Sequence, residues 1–238
     1  MWPILGLLLL LALFFLANLK VLPGVWHLRI LHGIYTQTHA PVISTSSRDK
    51  NTKTPLFQYL VTTTRAAPLE CDYNGHKSNS TYFSDLDVNR TQLLARLFRP
   101  VLSSSHYDRS TRGRHLNIAL GSTGIVFRRQ IRPLQQYAIW SRILAWDEKW
   151  VYVVSYFVES SVQTVPREED ILASGIARYV FKDGRKTVPP HVTLMDCALL
   201  PGNAQSIEVE RVRGMQTASL LAGLEELPGK FCPQNGRL

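Results

Sequence analysis

The stretch Glu70-Cys71-Asp72-Tyr73-Asn74-Gly75-His76-Lys77-Ser78-Asn79-Ser80-Thr81-Tyr82-Phe83 concentrates the groups in this chain that are able to do chemistry. It carries a carboxylate, an amide and an imidazole at alternate positions, Asp72, Asn74 and His76, and a second amide at Asn79. A carboxylate can serve as general base or nucleophile, and a neighbouring imidazole can orient it or move a proton. Asn74-Gly75 is a turn dipeptide, so these groups are bunched on a sharp bend. Ser78, Asn79 and Ser80 are N-cap types at the start of an expected helix. The free N–H groups and positive dipole end there favour a developing oxyanion. Such a set suits acyl transfer. Turns and caps use the same residue types, so the pattern alone also admits a purely structural role.

The elements that must position these groups are legible on either side. Phe57 to Thr63 reads as a first strand. Between Asn79 and Phe98, the residues Tyr82, Phe83, Leu86, Leu93, Leu94, Leu97 and Phe98 follow a helical stripe, ended by Pro100. Gly124 to Arg132, Tyr137 to Trp146, Trp150 to Glu159 and Leu172 to Lys182 then read as strands, each bounded by a turn signal. Trp146-Asp147-Glu148-Lys149-Trp150 reads as a tight hairpin flanked by paired aromatics. Four strands in a row with short turns predict an antiparallel meander. The order gives an α+β fold in which a curved antiparallel sheet wraps one long central helix, the hot-dog arrangement. The tail, residues 191–238, has a helical candidate at Met215 to Leu224 and receives no function.

Residues 1–22 stand apart by composition: Met1 to Val21 is almost unbroken Leu, Phe and Ala. An apolar run of about 18 or more residues spans a bilayer core, so this predicts an uncleaved N-terminal transmembrane helix. No Lys or Arg precedes Lys20, and Val21-Leu22-Pro23-Gly24 is a poor cleavage site, which disfavours a signal peptide. Basic residues after the span, Lys20, Arg29, Arg48 and Lys50, predict a single-pass protein with its domain in the cytosol. The sequons at Asn79 and Asn89 keep a lumenal placement open. Residues 23–54 form a connector, with Trp26 and Tyr35 suited to a membrane interface, and a Ser/Thr-rich linker from Ala40 to Thr54.

The net charge of +9 points to acidic partners. The basic groups Arg109-Arg112-Arg114, Arg128-Arg129-Arg132 and Arg185-Lys186 come with no nucleic-acid motif, so nucleic acid is not an expected partner. Cys71, Cys197 and Cys232 are too few and too scattered for a disulfide scaffold or a zinc site. No metal and no cofactor is expected.

The pattern Asp-x-Asn-x-His-x-x-Asn-x-x-Tyr at residues 72, 74, 76, 79 and 82 resembles the hot-dog thioesterase signature, in particular that of plant acyl-ACP thioesterases. The layout through Phe127-Arg128-Arg129-Gln130-Ile131-Arg132-Pro133-Leu134 and the Trp146-Asp147 hairpin is more similar to the THEM-type thioesterase-like membrane proteins and their fungal relatives, which often serve secondary-metabolite pathways. The resemblance covers about residues 55–190. It implies Asp72 as base or nucleophile on a thioester carbonyl and Asn74 as the group positioning acyl chain or water. It further implies His76 as the partner of Asp72, and Asn79 with the helix-start N–H groups as oxyanion holder. The family's usual double Asn is Ser78-Asn79 here. The implied activity is hydrolysis of an acyl-CoA or acyl-carrier-protein thioester at a membrane, by a homodimer. The alternatives are a non-catalytic acyl-binding or scaffold protein and a hydroxyacyl-thioester dehydratase.

Overall fold

In the computed structural model, which describes residues 2–39, 55–102, 116–200 and 204–223, the helical stripe becomes the central helix α3 (Thr81–Leu97). Its apolar positions Tyr82, Leu86, Leu93, Leu94 and Leu97 are buried. Before it come helices α1 (Trp2–Ala17) and α2 (Val25–His39) and strand β1 (Leu60–Arg65). After it follow the single turn α4 (Arg99–Leu102), strands β2 (Asn117–Phe127), β3 (Gln136–Trp146), β4 (Val151–Glu159), β5 (Ile171–Asp183) and β6 (Lys186–Val188), and helices α5 (Pro190–Asp196) and α6 (Ala204–Ala222). The linker Ala40 to Thr54, the triplet Arg109-Arg112-Arg114 and Cys232 lie outside the described residues.

All pairings are antiparallel, but the sheet is not the expected meander. Its order is β1-β3-β4-β5-β2, with β6 pairing β5. β2 skips β3 and β4 and pairs β5 over the register Asn117↔Lys182 to Phe127↔Ala173. Short turns predict only sequential neighbours, and β2 leaves that pattern because Arg128 to Gln135 forms a longer connection across to β3. One face of the sheet holds α3: a side chain added at Gly175 would meet Leu86. The main cluster on this side joins Leu60, Leu93, Leu97, Phe98, Ile143, Val153, Ala177 and Phe181. A sheet closed over one helix in this way is the hot-dog fold.

The opposite face carries α6. A Cβ at Gly124 would meet Leu221, and Gly124 pairs with Ile176, whose neighbour Gly175 faces α3. At Gly214 the approach is closest: a Cβ there would fall on the carbonyl oxygen of Leu144, and backbone cannot swing aside as a side chain can. Gly214→Ala is therefore expected to cost about 1–3 kcal/mol, in the range of overpacking substitutions. It should lower the thermal midpoint and expose α6 to limited proteolysis. An unchanged midpoint would contradict this packing.

The expected transmembrane helix is corrected. α1 has 16 residues, about 24 Å at the α-helical rise, short of a hydrocarbon core of roughly 30 Å. No helix among the described residues is long and apolar enough to cross a membrane. The break is Asn18, fully buried, whose side chain donates to the Phe14 carbonyl (2.9 Å) and accepts from the Leu69 N–H (2.8 Å). Lys20, expected to flank a span, turns into the protein instead. No described helix supports the single-pass arrangement argued from that span. α2, within the expected connector, packs on α3 so closely that a Cβ at Gly33 would meet the Gln92 side chain at 2.7 Å.

Candidate active site

Asp72, Asn74 and His76 lie on a small hairpin between a 3-10 turn (Pro68–Glu70) and the start of α3. The Asp72 N–H donates to the His76 carbonyl (3.0 Å), and the Gly75 N–H returns to the Asp72 carbonyl (3.0 Å). Gly75 sits at φ +73°, the left-handed conformation that the Asn-Gly turn requires. Asp72 also accepts the Asn74 N–H on Oδ1 (2.9 Å), an Asx turn that fixes its carboxylate. His76 Nδ1 lies 3.7 Å from the same Oδ1, within ion-pair range when the ring is protonated and too long for a hydrogen bond. Both side chains are about a quarter exposed. The carboxylate is thus anchored on one oxygen and open to an incoming group.

The other two positions behave differently. Asn74 is exposed, as is its neighbour Tyr73, and Asn79 is exposed just before α3. The hydrogen bonds that join Asp72, Asn74 and His76 do not extend to Asn79 among the described residues. The expected caps make no side-chain capping bond: Ser80 is the N-cap residue, while the Ser78 carbonyl takes both the Thr81 N–H (3.0 Å) and its hydroxyl (2.7 Å). Cys71 is half-buried, and its thiol is pushed up by burial and by Glu70, so it is no reactive thiolate. Tyr82 of the motif is a core residue, ringed by Phe127 (5.0 Å) and Phe157 (4.8 Å). Burial raises its hydroxyl to about 12. The 970 Å³ cavity bounded by Trp146, His191, Met195, Ile207 and Arg211 includes none of the four candidates.

Beneath the hairpin is a group of buried charges that motif reading passed over. Glu70 and Lys77 stand at its two feet, where Cys71 pairs with Lys77, and their side chains meet at 3.1 Å. Lys77 also reaches Asp85 on α3 (3.0 Å). Lys20 reaches Glu70 (2.7 Å) and Asp85 (3.1 Å), Arg29 of α2 reaches Asp85 (3.0 Å), and the Tyr137 hydroxyl donates to Asp85. Glu70, Lys77, Asp85 and Tyr137 are each at most 2% exposed. Burial would raise the Asp85 carboxyl, but Lys20, Lys77, the Tyr137 hydrogen bond and Arg29 together hold it well below the usual carboxylate range. Lys20 is pulled down from the ordinary lysine value, chiefly by burial. A signal existed in the sequence: Asp85 falls inside the apolar stripe Tyr82, Leu86, Leu93, where a charge needs a partner.

The family model described as the thioesterase-like superfamily matches residues 66–196, which contain the hairpin, the central helix and the sheet from β2 onward. The chain belongs to this superfamily. A thioesterase-like protein of this kind has curated fungal relatives over most of its length. It is 40% identical to the probable thioesterase atnL of Emericella nidulans, covering 90% of this chain and 85% of the relative. It is 36% identical to thioesterase poxG of Penicillium oxalicum, covering 91% and 84%. Among solved structures, the YbaW probable thioesterase of Escherichia coli shares 14% identity over 58% of this chain and 96% of that one, with a TM-score of 0.44. On the superfamily match and the fungal relatives the chain is a thioester hydrolase.

Proposed function

We propose that this thioesterase hydrolyses an acyl chain from coenzyme A or a carrier protein, with Asp72 as the group that activates the attacking oxygen. The observation that carries the reading is the Asx-turned carboxylate, held on one oxygen by the Asn74 N–H and with no hydrogen-bond partner on the other among the described residues. In the proposed step Asp72 takes a proton from water as the water oxygen bonds to the thioester carbonyl carbon. The carbonyl becomes an oxyanion, stabilised in this proposal by the positive end of the α3 dipole and by Asn79. The C–S bond then breaks, and the departing thiolate takes up a proton, leaving a carboxylic acid and a free thiol. His76, as the neutral ring, takes this proton from Asp72 and hands it to the departing thiolate, which restores the carboxylate. The similarity to fungal thioesterases supports hydrolysis of a thioester, and a secondary-metabolite acyl or polyketide chain is the substrate we propose for it. The test is release of free thiol from acetyl-, octanoyl- and palmitoyl-CoA by the whole chain, beside Asp72→Asn; no turnover on any of them, with binding retained, favours the acyl-binding alternative.

We also propose that the working form is a homodimer. β2 is an edge strand, 11 residues long and largely exposed, and its outer backbone groups have no strand partner among the described residues. A second copy pairing there would extend the sheet across the two protomers. Sedimentation equilibrium is expected to give a dimer, and a monomer at catalytic concentrations would remove this part of the proposal.

A further inference from the structure

The Asp72 hairpin is gripped from below by groups far away in the chain. Its feet are Glu70 and Lys77, and both side chains are committed to one buried cluster: Lys77 to Glu70 and Asp85, Glu70 also to Lys20. Two of the three cations on these two carboxylates, Lys20 and Arg29, come from the N-terminal helical segment, outside the residues matched to the superfamily. The Glu70 backbone joins the same grip, its N–H bonding the Ala67 carbonyl (2.9 Å) and its carbonyl receiving the Ser78 N–H (2.8 Å). The Glu70 carboxylate in turn accepts the Ala67 N–H (2.8 Å). Lys77 is tied through its N–H to the Ile131 carbonyl (2.8 Å). A side chain whose charge is sealed this way has one low-energy place to be, since any departure leaves a buried charge unpaired.

We infer that Lys20 and Arg29 are positioning residues for the thioesterase site: the N-terminal helices set the Asp72 hairpin through the Glu70–Lys77–Asp85 cluster, so the superfamily domain is catalytically incomplete without them. Lys20 neutralises the hairpin foot directly. Arg29 acts one step back, holding the Asp85 carboxylate to which Lys77 is bound. Neither residue touches Asp72. A small displacement of a reacting group is enough to slow chemistry without changing substrate binding. This rests on the proposed role of Asp72, and the experiment separates the two.

Lys20→Met and Arg29→Gln are compared with the unaltered full-length protein on octanoyl-CoA, or on the best substrate of the three. Arg29 is a quarter exposed and makes a single contact to the cluster, so its variant keeps the fold. The expected result is a fall in kcat of about 10- to 100-fold with KM within about twofold, on the scale of small misplacements of reacting groups. Hydrogen exchange should quicken at the Asp72, Gly75 and Lys77 amides, whose bonds define the hairpin. Unchanged kcat and unchanged exchange in Arg29→Gln would overturn the inference, as would a loss carried by KM alone. If Asp72→Asn retains full activity, the catalytic reading falls. The exchange measurement then still decides whether the N-terminal helices hold the hairpin.

Discussion

Asp72→Asn is expected to lower kcat for thioester hydrolysis by about 10²–10⁴-fold, the usual share of a general base, with little change in thermal stability. The substitution is chosen for what it preserves. The amide oxygen of asparagine can still accept the Asn74 N–H that now binds Asp72 Oδ1 at 2.9 Å, so the turn survives. Only the ability to take a proton or attack a carbonyl is lost. Asp72→Ala would remove turn and chemistry together and could not separate them. Progress curves of thiol release, fitted for kcat and KM separately, read the outcome. A variant within twofold of the parent would remove Asp72 from the reaction.

Asp85→Ala is expected to be the most destabilising single change in the protein, at about 3–5 kcal/mol, because it leaves Lys20 and the buried Lys77 to share the one carboxylate of Glu70 and takes from Arg29 its carboxylate partner. Asp85 lies in contact with Lys20 (3.1 Å), Lys77 (3.0 Å) and Arg29 (3.0 Å), and it accepts the Tyr137 hydroxyl; Glu70, the other carboxylate here, remains paired to Lys20 and Lys77. Urea unfolding followed by tryptophan fluorescence measures the loss. The acid limb carries a second signature. Against burial, the surrounding cations and the Tyr137 hydroxyl keep the folded-state Asp85 value below that of the unfolded chain. Its contribution is therefore complete above about pH 4, the ordinary aspartate value, and fades as pH falls through the folded-state value. Between those two values the parent loses stability with falling pH more steeply than Asp85→Ala does. Parallel acid limbs would show that the carboxylate is not held in this way.

What could be read from the residues divides along physical lines. The period of Tyr82, Leu86, Leu93 and Leu97 fixes a helix whatever surrounds it, and β3, β4 and β5 announce themselves by apolar, β-branched and aromatic runs between turns. The β2 pairing was hidden, because local patterning marks a strand and says nothing about which neighbour it finds. Asp72, Asn74 and His76 were legible because a turn brings near neighbours together. The charge cluster was not, since Lys20, Arg29, Glu70, Lys77, Asp85 and Tyr137 are spread over about half the chain and only folding assembles them. The N-terminal segment misled for a related reason: an apolar run reports its own hydropathy, and the buried Asn18 that ends it looks from sequence like one tolerated polar residue.

That asparagine marks a practical border. Upstream of it, α1 exposes Trp2, Ile4, Leu5, Leu7 to Leu11 and Leu13 to Leu16 on every side, a surface that will seek detergent, lipid or another copy of itself in water. Anyone wishing to express a better-behaved version would trim this segment, and hydropathy alone suggests cutting after residue 22 or so. Such a cut discards the Asn18 clasp on Leu69 and the Lys20 ammonium, leaving Glu70 short of a partner. The scissors belong between Ala17 and Asn18, and an inactive shorter version would say more about where it was trimmed than about the enzyme.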